Sequence, residues 1–168
     1  SLTSGPFNVN LFYHQHPQAD AQREQAWLEY LAPEFARFGA TAPARLQAVY
    51  PSALGNTALQ QLILAQRPAV VSFHFGLPEP DFLVALKAYG CITLACATDL
   101  DEALAIEQAG IDVVIAQGVE AGGHRGVFDP ARDQMLGTLA LVQLLVQRTR
   151  LPVVAAGGIM DGAGIAAV

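Results

Sequence analysis

Residues 91–117 read CITLACATDLDEALAIEQAGIDVVIAQ: an apolar run, a capped helical pattern and a second apolar run without a break. Both runs are apolar on both faces. A parallel sheet covered by helices requires this, whereas an antiparallel meander shows more polar alternation. Between the runs, Thr98 and Asp99 supply cap oxygens, Asp101 and Glu102 the acidic partner of a capping box, and Gly110 a stop. The stretch therefore predicts a strand, a helix over 100–110 and a second strand parallel to the first.

The same alternation extends in both directions. FNVNLF (7–12), AVVSFHF (69–75) and PVVAAG (152–157) join CITLACA (91–97) and DVVIAQ (112–117) as strands, separated by helical segments. Trp27, Leu31 and Phe35 predict one helix stripe, and Leu59, Leu62, Ile63 and Gln66 after Asn56 a second, each laid on the sheet. Pro33 is expected to break or kink the first helix, and residues 39–51 read as an insertion. The fold class is α/β, with successive βα units and no fixed-period sequence repeat.

Composition bounds the function. At 168 residues and 52% hydrophobic content, the chain is expected to form a single domain over 1–168. With a net charge of −6 and nine scattered Lys and Arg residues, it lacks the basic stripe that nucleic acid needs. Lys87, Asp99, Asp112, Glu120 and Asp161 interrupt the apolar runs before any reaches the roughly 20 residues of a membrane span. Cys91 and Cys96 lack CxxC spacing and read as reduced core thiols of a cytoplasmic protein. The opening SLTSGPFNVNLF carries no targeting pattern and looks cut.

Ligands of α/β sheets sit at the carboxyl ends of the strands. The residues to weigh there are Asn10, His74, Gly76, Thr98, Gln117, Glu120, Gly122, Gly123, His124, Gly157 and Gly158. Glycine pairs serve tight turns, and they also let backbone N–H groups approach a ligand. In AAGGIMDG a helix start is expected at once, which suits a phosphate. His124, beside Gly122–Gly123, has the exposure and the imidazole chemistry that proton abstraction from a carbon acid needs; alternatively, it is a loop histidine capping a carbonyl. His74 lines a pocket or packs beside Phe73 and Phe75. Glu120 orients its loop or pairs with Arg125, FDPARD (128–133) is a solvated surface, and Cys96 is a buried thiol even if it faces a barrel interior. His14 and His16 have no third ligand nearby, so no metal is assigned.

AQGVEAGGHRG, PVVAAGGIMDG, PFNVNLF and VVSFHFG together resemble the nitronate monooxygenases, once called 2-nitropropane dioxygenases. The resemblance covers almost the whole chain. It implies a (β/α)₈ barrel, FMN as cofactor, and oxidation of alkyl nitronates or nitroalkanes with dioxygen to carbonyl compounds and nitrite. By position it implies His124 as the catalytic base, Gln117, Gly122 and Gly123 against the isoalloxazine, Asn10 on its opposite side, and Gly157 and Gly158 at the FMN phosphate. His74 is a second-tier pocket residue.

Five strands are visible where a closed barrel has eight. The resemblance implies a partial TIM barrel, roughly strands 3 to 7, with the first two strands and the last missing. Open strand edges then invite a homo-oligomer or a complementary chain. Two rival readings remain: an FMN-dependent enoyl-thioester reductase, which shares much of this frame, and a non-catalytic barrel fragment that needs a complementary chain.

Overall fold

The computed structural model describes residues 5–168, and these form two compact units: one runs to Gln15 and resumes at Ser52–Val168, and the other is His16–Pro51. In the larger unit, five strands, β1 (Asn8–Phe12), β2 (Val70–His74), β3 (Ile92–Ala97), β4 (Val113–Gln117) and β5 (Val153–Ala156), pair in sequence order, every neighbour parallel. Helices α2 (Thr57–Gln66), α3 (Pro80–Ala88), α4 (Leu100–Ala109), α5 (Thr138–Arg148) and α6 (Gly162–Ala167) alternate with them. This is the expected α/β order.

The two faces of the sheet differ. One residue parity, Leu11, Val71, Phe73, Ala95, Ala97, Val114 and Ala116, is buried in the core together with Leu86, Ile106, Leu141 and Leu145 from α3, α4 and α5. The opposite parity holds Asn8, Asn10, Phe12, Ser72, His74, Leu94, Cys96, Ile115, Gln117 and Val154, and it is partly open: Ile92 is 51% and Val154 46% exposed. The two faces therefore differ in environment: one is a dense apolar layer under the helices, and the other is a partly open surface that mixes apolar and polar side chains.

Local signals fix the helix ends. Asp99 caps α4 by accepting from Glu102 N–H at 2.9 Å, and Gly110 ends it in the left-handed region at φ 83°. The capping box is displaced by one residue, because the buried Glu102 carboxylate reaches Thr98 N–H and Oγ1, not Asp99. In α2 the core-facing residues are Leu59, Ile63 and Leu64, while Leu62 and Gln66 face outward, so the expected stripe is rotated. A mostly apolar helix has little moment with which to specify its buried face.

In the smaller unit, α1 (Ala21–Arg37) starts at the Asp20 cap and runs through Pro33 without breaking. Pro33 removes one N–H, and the freed carbonyl lies in an exposed turn where water can satisfy it. Of the expected stripe, Leu31 and Phe35 are half-buried, and only Trp27 departs. Leu28 is the buried residue, and Trp27 is half exposed, stacked on Tyr30 at 5.3 Å and 19°.

Candidate functional site at the carboxyl ends of the strands

Parallel register brings the residues of the partly open face into rows. Asn10 lies opposite Ser72 and Phe12 opposite His74, while Cys96 lies opposite Ile115 and Gln117 opposite Ala156. Asn10 is the third residue of β1, not a residue past its end, so it sits one row below the mouth. It is held there by Ser72, whose hydroxyl donates to Asn10 Oδ1 at 2.9 Å while accepting from Asn8 Nδ2 at 2.9 Å. Asn8 and Ser72 escaped the sequence reading. The parity of FNVNLF against AVVSFHF places them on one face once the strands are taken as parallel neighbours.

Above that row, the His124 ring lies against two aromatic rings: Phe12 at 5.4 Å between centroids and Phe75 at 5.9 Å, nearly perpendicular. Phe12 and Phe75 themselves meet edge to face at 4.9 Å. His14 also meets the Phe75 ring, at 6.2 Å between centroids, and its Nδ1 lies 3.0 Å from Gln15 O, which can only accept. Phe75 holds this place with φ 70°, a left-handed backbone that costs a non-glycine residue about 1–2 kcal/mol. The next residue must be glycine, since a Cβ on Gly76 would lie 2.8 Å from Tyr13 O. Beyond Phe75, a cavity of about 430 Å³ opens between His14, Phe75, Val127, Phe128 and Pro130.

His74 ends β2 and is half-buried, with Nδ1 enclosed and without a hydrogen-bond partner among the described residues. Burial pushes its imidazole below the ordinary histidine value, so the neutral form is favoured. A buried orphan nitrogen at a strand mouth is a position for a ligand atom or a water. Cys96 sits nearby, fully buried, its thiol pushed up to about 12 by burial and by the Glu102 carboxylate against the opposing pull of Arg125.

The loop after β4 is braced at several points. Gln117 Nε2 donates to His124 O at 2.9 Å, and its Oε1 accepts from Gly126 N at 2.6 Å, so one amide spans the residues around the histidine. Arg125 forms two parallel bonds of 2.9 Å to Asp133 and donates to Gln117 O. Of the two roles open to Glu120, the ion pair with Arg125 does not form, and FDPARD is not simply solvated, because the Asp133 side chain is only 14% exposed. Glu102 Oε1 accepts from Phe128 N at 2.6 Å and anchors the loop's far end.

Glu120 instead faces the start of α5. Its Oε2 accepts from Thr138 N and Thr138 Oγ1, both at 2.8 Å, and Thr138 Oγ1 also lies 2.9 Å from Gly157 O. Its own backbone N–H and then the two Thr138 donors hold the Glu120 carboxyl below its ordinary value. Thr138 has no sequence signal of its own; its role arises from a contact 18 residues away.

The glycine pair at 157–158 has φ 122° and 70°, conformations suited to glycine. The helix does not follow at once. Residues 159–161 intervene, and Asp161 caps α6 by accepting from Gly164 N at 2.9 Å, so its own carboxylate occupies that helix end. What is available to an anion is the turn itself. Among the described residues, neither the Gly157 nor the Gly158 N–H donates to a turn or loop partner.

A flavin fits these residues in two respects. An added Cβ on Gly122 or Gly123 would meet nothing within 4 Å, which leaves a bare backbone edge beside His124 for a flat ring. The N–H groups of Gly157 and Gly158, which donate to no turn or loop partner among the described residues, suit a phosphate. The described residues contain no group of three or more His, Cys, Asp or Glu side chains that could hold a metal, and no helix among them is long and apolar enough to cross a membrane.

The family model for nitronate monooxygenase matches residues 1–168. A nitronate monooxygenase of Paraburkholderia phytofirmans is 57% identical over 168 residues, covering 99% of this chain and 46% of that protein. One of Pseudomonas aeruginosa is 59% identical over 167 residues, covering 99% and 48%. Among solved structures, nitroalkane oxidase from Streptomyces ansochromogenes superposes with a TM-score of 0.82 at 38% identity, over 99% of this chain and 48% of that one. FabK from Thermotoga maritima gives 0.63 at 27% identity, over 98% and 38%. The chain thus spans about half the length of the relatives it matches, and its five-stranded sheet corresponds to a section of their barrel.

Proposed function

Because the chain belongs to the nitronate monooxygenase family, we propose that it carries the histidine side of an FMN site that oxidises alkyl nitronates or nitroalkanes with dioxygen to carbonyl compounds and nitrite. The observation that supports this most is His124. It stands at the mouth of a parallel sheet, between Phe12 and Phe75 and next to a bare glycine edge. FMN, when bound, supplies the redox chemistry; this chain supplies binding, orientation and a base.

His124 takes the α-proton of a neutral nitroalkane, and the two aromatic rings fix the imidazole plane while Gln117 fixes the backbone below it. Gln117, Gly122 and Gly123 border the ring system, Asn10 approaches from the β1 side, and the Gly157 and Gly158 amides receive the phosphate. His74, kept neutral, offers Nδ1 to the substrate.

Replacing His124 by Asn is expected to lower turnover of neutral nitroalkanes by roughly 10² or more, with a much smaller loss on preformed nitronates, whose α-proton is already gone. Steady-state kinetics on the two substrate forms checks this. Equal losses with FMN still bound would remove the base assignment. The phosphate turn is tested by ligand choice, because bulky side chains at Gly158 would collide with Glu120 whether or not phosphate binds. FMN is expected to bind more tightly than riboflavin, and equal affinities would remove the turn's role. The similarity to FabK keeps a second reading, FMN-dependent reduction of enoyl thioesters. Flavin reduction by a nicotinamide cofactor, with turnover of an enoyl thioester, would favour it.

A further inference from the structure

We propose that Glu120 and Thr138 are positioning residues that lock the His124 loop and the Gly157–Gly158 turn into one geometry; the proposal rests on the roles given above to His124 and to that turn. The N-cap of α5 is Gly137, which has no side chain to offer, and the cap is made by Glu120 Oε2, which accepts from Thr138 N and Thr138 Oγ1. A serine or aspartate at position 137 would cap the helix locally. The carboxylate used instead comes from the loop that carries His124, four residues before the histidine.

Thr138 joins the second segment. Its hydroxyl has one proton and two acceptors in reach, Glu120 Oε2 at 2.8 Å and Gly157 O at 2.9 Å. The surroundings are cut to the shape of this pair. A Cβ on Gly157 would lie 2.8 Å from Thr138 Oγ1, one on Gly158 3.1 Å from Glu120 Cβ, and one on Gly137 2.9 Å from Glu120 Oε1. A Cβ on Gly118 would overlap both side chains. Glycines at the end of β4, the start of α5 and the end of β5 thus converge on one carboxylate and one hydroxyl. A helix cap needs no such convergence; two segments held at a fixed separation do.

Hydrogen exchange on the intact chain tests the lock. Thr138→Val removes the hydroxyl and keeps the branched shape, and it is expected to raise exchange by roughly fivefold to tenfold in residues 119–126 and 157–159 together. Thr138→Ser, which retains the hydroxyl, should stay near the parent. Loosening of only one segment, or of the first turn of α5 alone, overturns the proposal. Glu120→Ala and Glu120→Gln form a second arm that does not depend on the folding of the valine variant. The glutamine keeps an acceptor oxygen and should loosen both segments less than alanine, and equal effects overturn the proposal. With FMN added, Thr138→Val should lower kcat on a neutral nitroalkane more than it raises KM, since a 1 Å misplacement of a catalytic group costs about 100-fold. Joint loosening with unchanged FMN affinity would leave the lock standing and remove the phosphate role of Gly157–Gly158.

Discussion

His124 and Cys96 show how position decides the chemistry of a reactive side chain. Both lie at the mouth of the sheet, but His124 is exposed between two rings, whereas the Cys96 thiol is enclosed and would meet a Cβ at Gly126 at 2.5 Å. Burial pushes both Cys96 and Cys91 up, Cys96 to about 12. A thiolate is needed for attack on a disulfide reagent, so neither cysteine should react at pH 8 until the chain unfolds. Counting reacted thiols with and without denaturant checks this; one fast thiol in the native protein would contradict the burial. Glu102 is similar in kind. Burial pushes its carboxyl up against the opposing pull of Phe128 N–H, Thr98 N–H and Thr98 Oγ1. Glu102→Ala would strand those three donors and is expected to cost about 1–3 kcal/mol, read as a lowered denaturant midpoint.

The βα units gain their order from polar contacts at both ends of the strands. At the amino end of β3, Asp112 accepts from Thr93 N at 2.9 Å and Thr93 Oγ1 at 2.7 Å, and Lys87 Nζ lies 2.7 Å from its other oxygen. Burial pulls the Asp112 carboxyl up, but Lys87 and the two Thr93 donors outweigh it and leave the carboxyl below its ordinary value. A depressed folded pKa means a contribution present above the unfolded value near 4 and lost as pH falls through the lower folded one. Asp112→Asn should therefore flatten the loss of stability below pH 4, measured by thermal unfolding across that range. At the other end, Asp99→Ala removes the α4 cap and is expected to cost about 1 kcal/mol. These elements were the most legible in the sequence, because unbroken apolar runs and a local cap need only neighbouring residues. The exposed face of α1, the rotated stripe of α2 and the passage through Pro33 were not legible, since each depends on what the helix packs against or on solvent access. Within the candidate site, His124, Gln117 and the glycine pairs stood out by type and spacing. Phe12, Phe75, Thr138 and Asp133 did not, because their roles arise from contacts between strands and between distant loops.

Among the described residues β1 and β5 are the outer strands of the sheet, and the face turned away from the helices exposes Ile92 and Val154. Unpaired edges and apolar side chains of this kind favour association. The chain is expected to self-associate with rising concentration, and Val154→Lys on the edge strand to weaken that association, both read by sedimentation velocity. Unchanged sedimentation in the lysine variant would place the contact elsewhere. The division of the sheet into a packed and an open face also bears on how the protein can change over generations. Val71, Phe73, Ala95, Val114 and Ala116 are wholly enclosed against the helices, so most substitutions there forfeit folding. Ile92, Leu94, Ile115 and Val154 carry little of that packing. Mutations on the open face can therefore accumulate while the helix side keeps the chain folded, which makes the open face the more evolvable part of this scaffold.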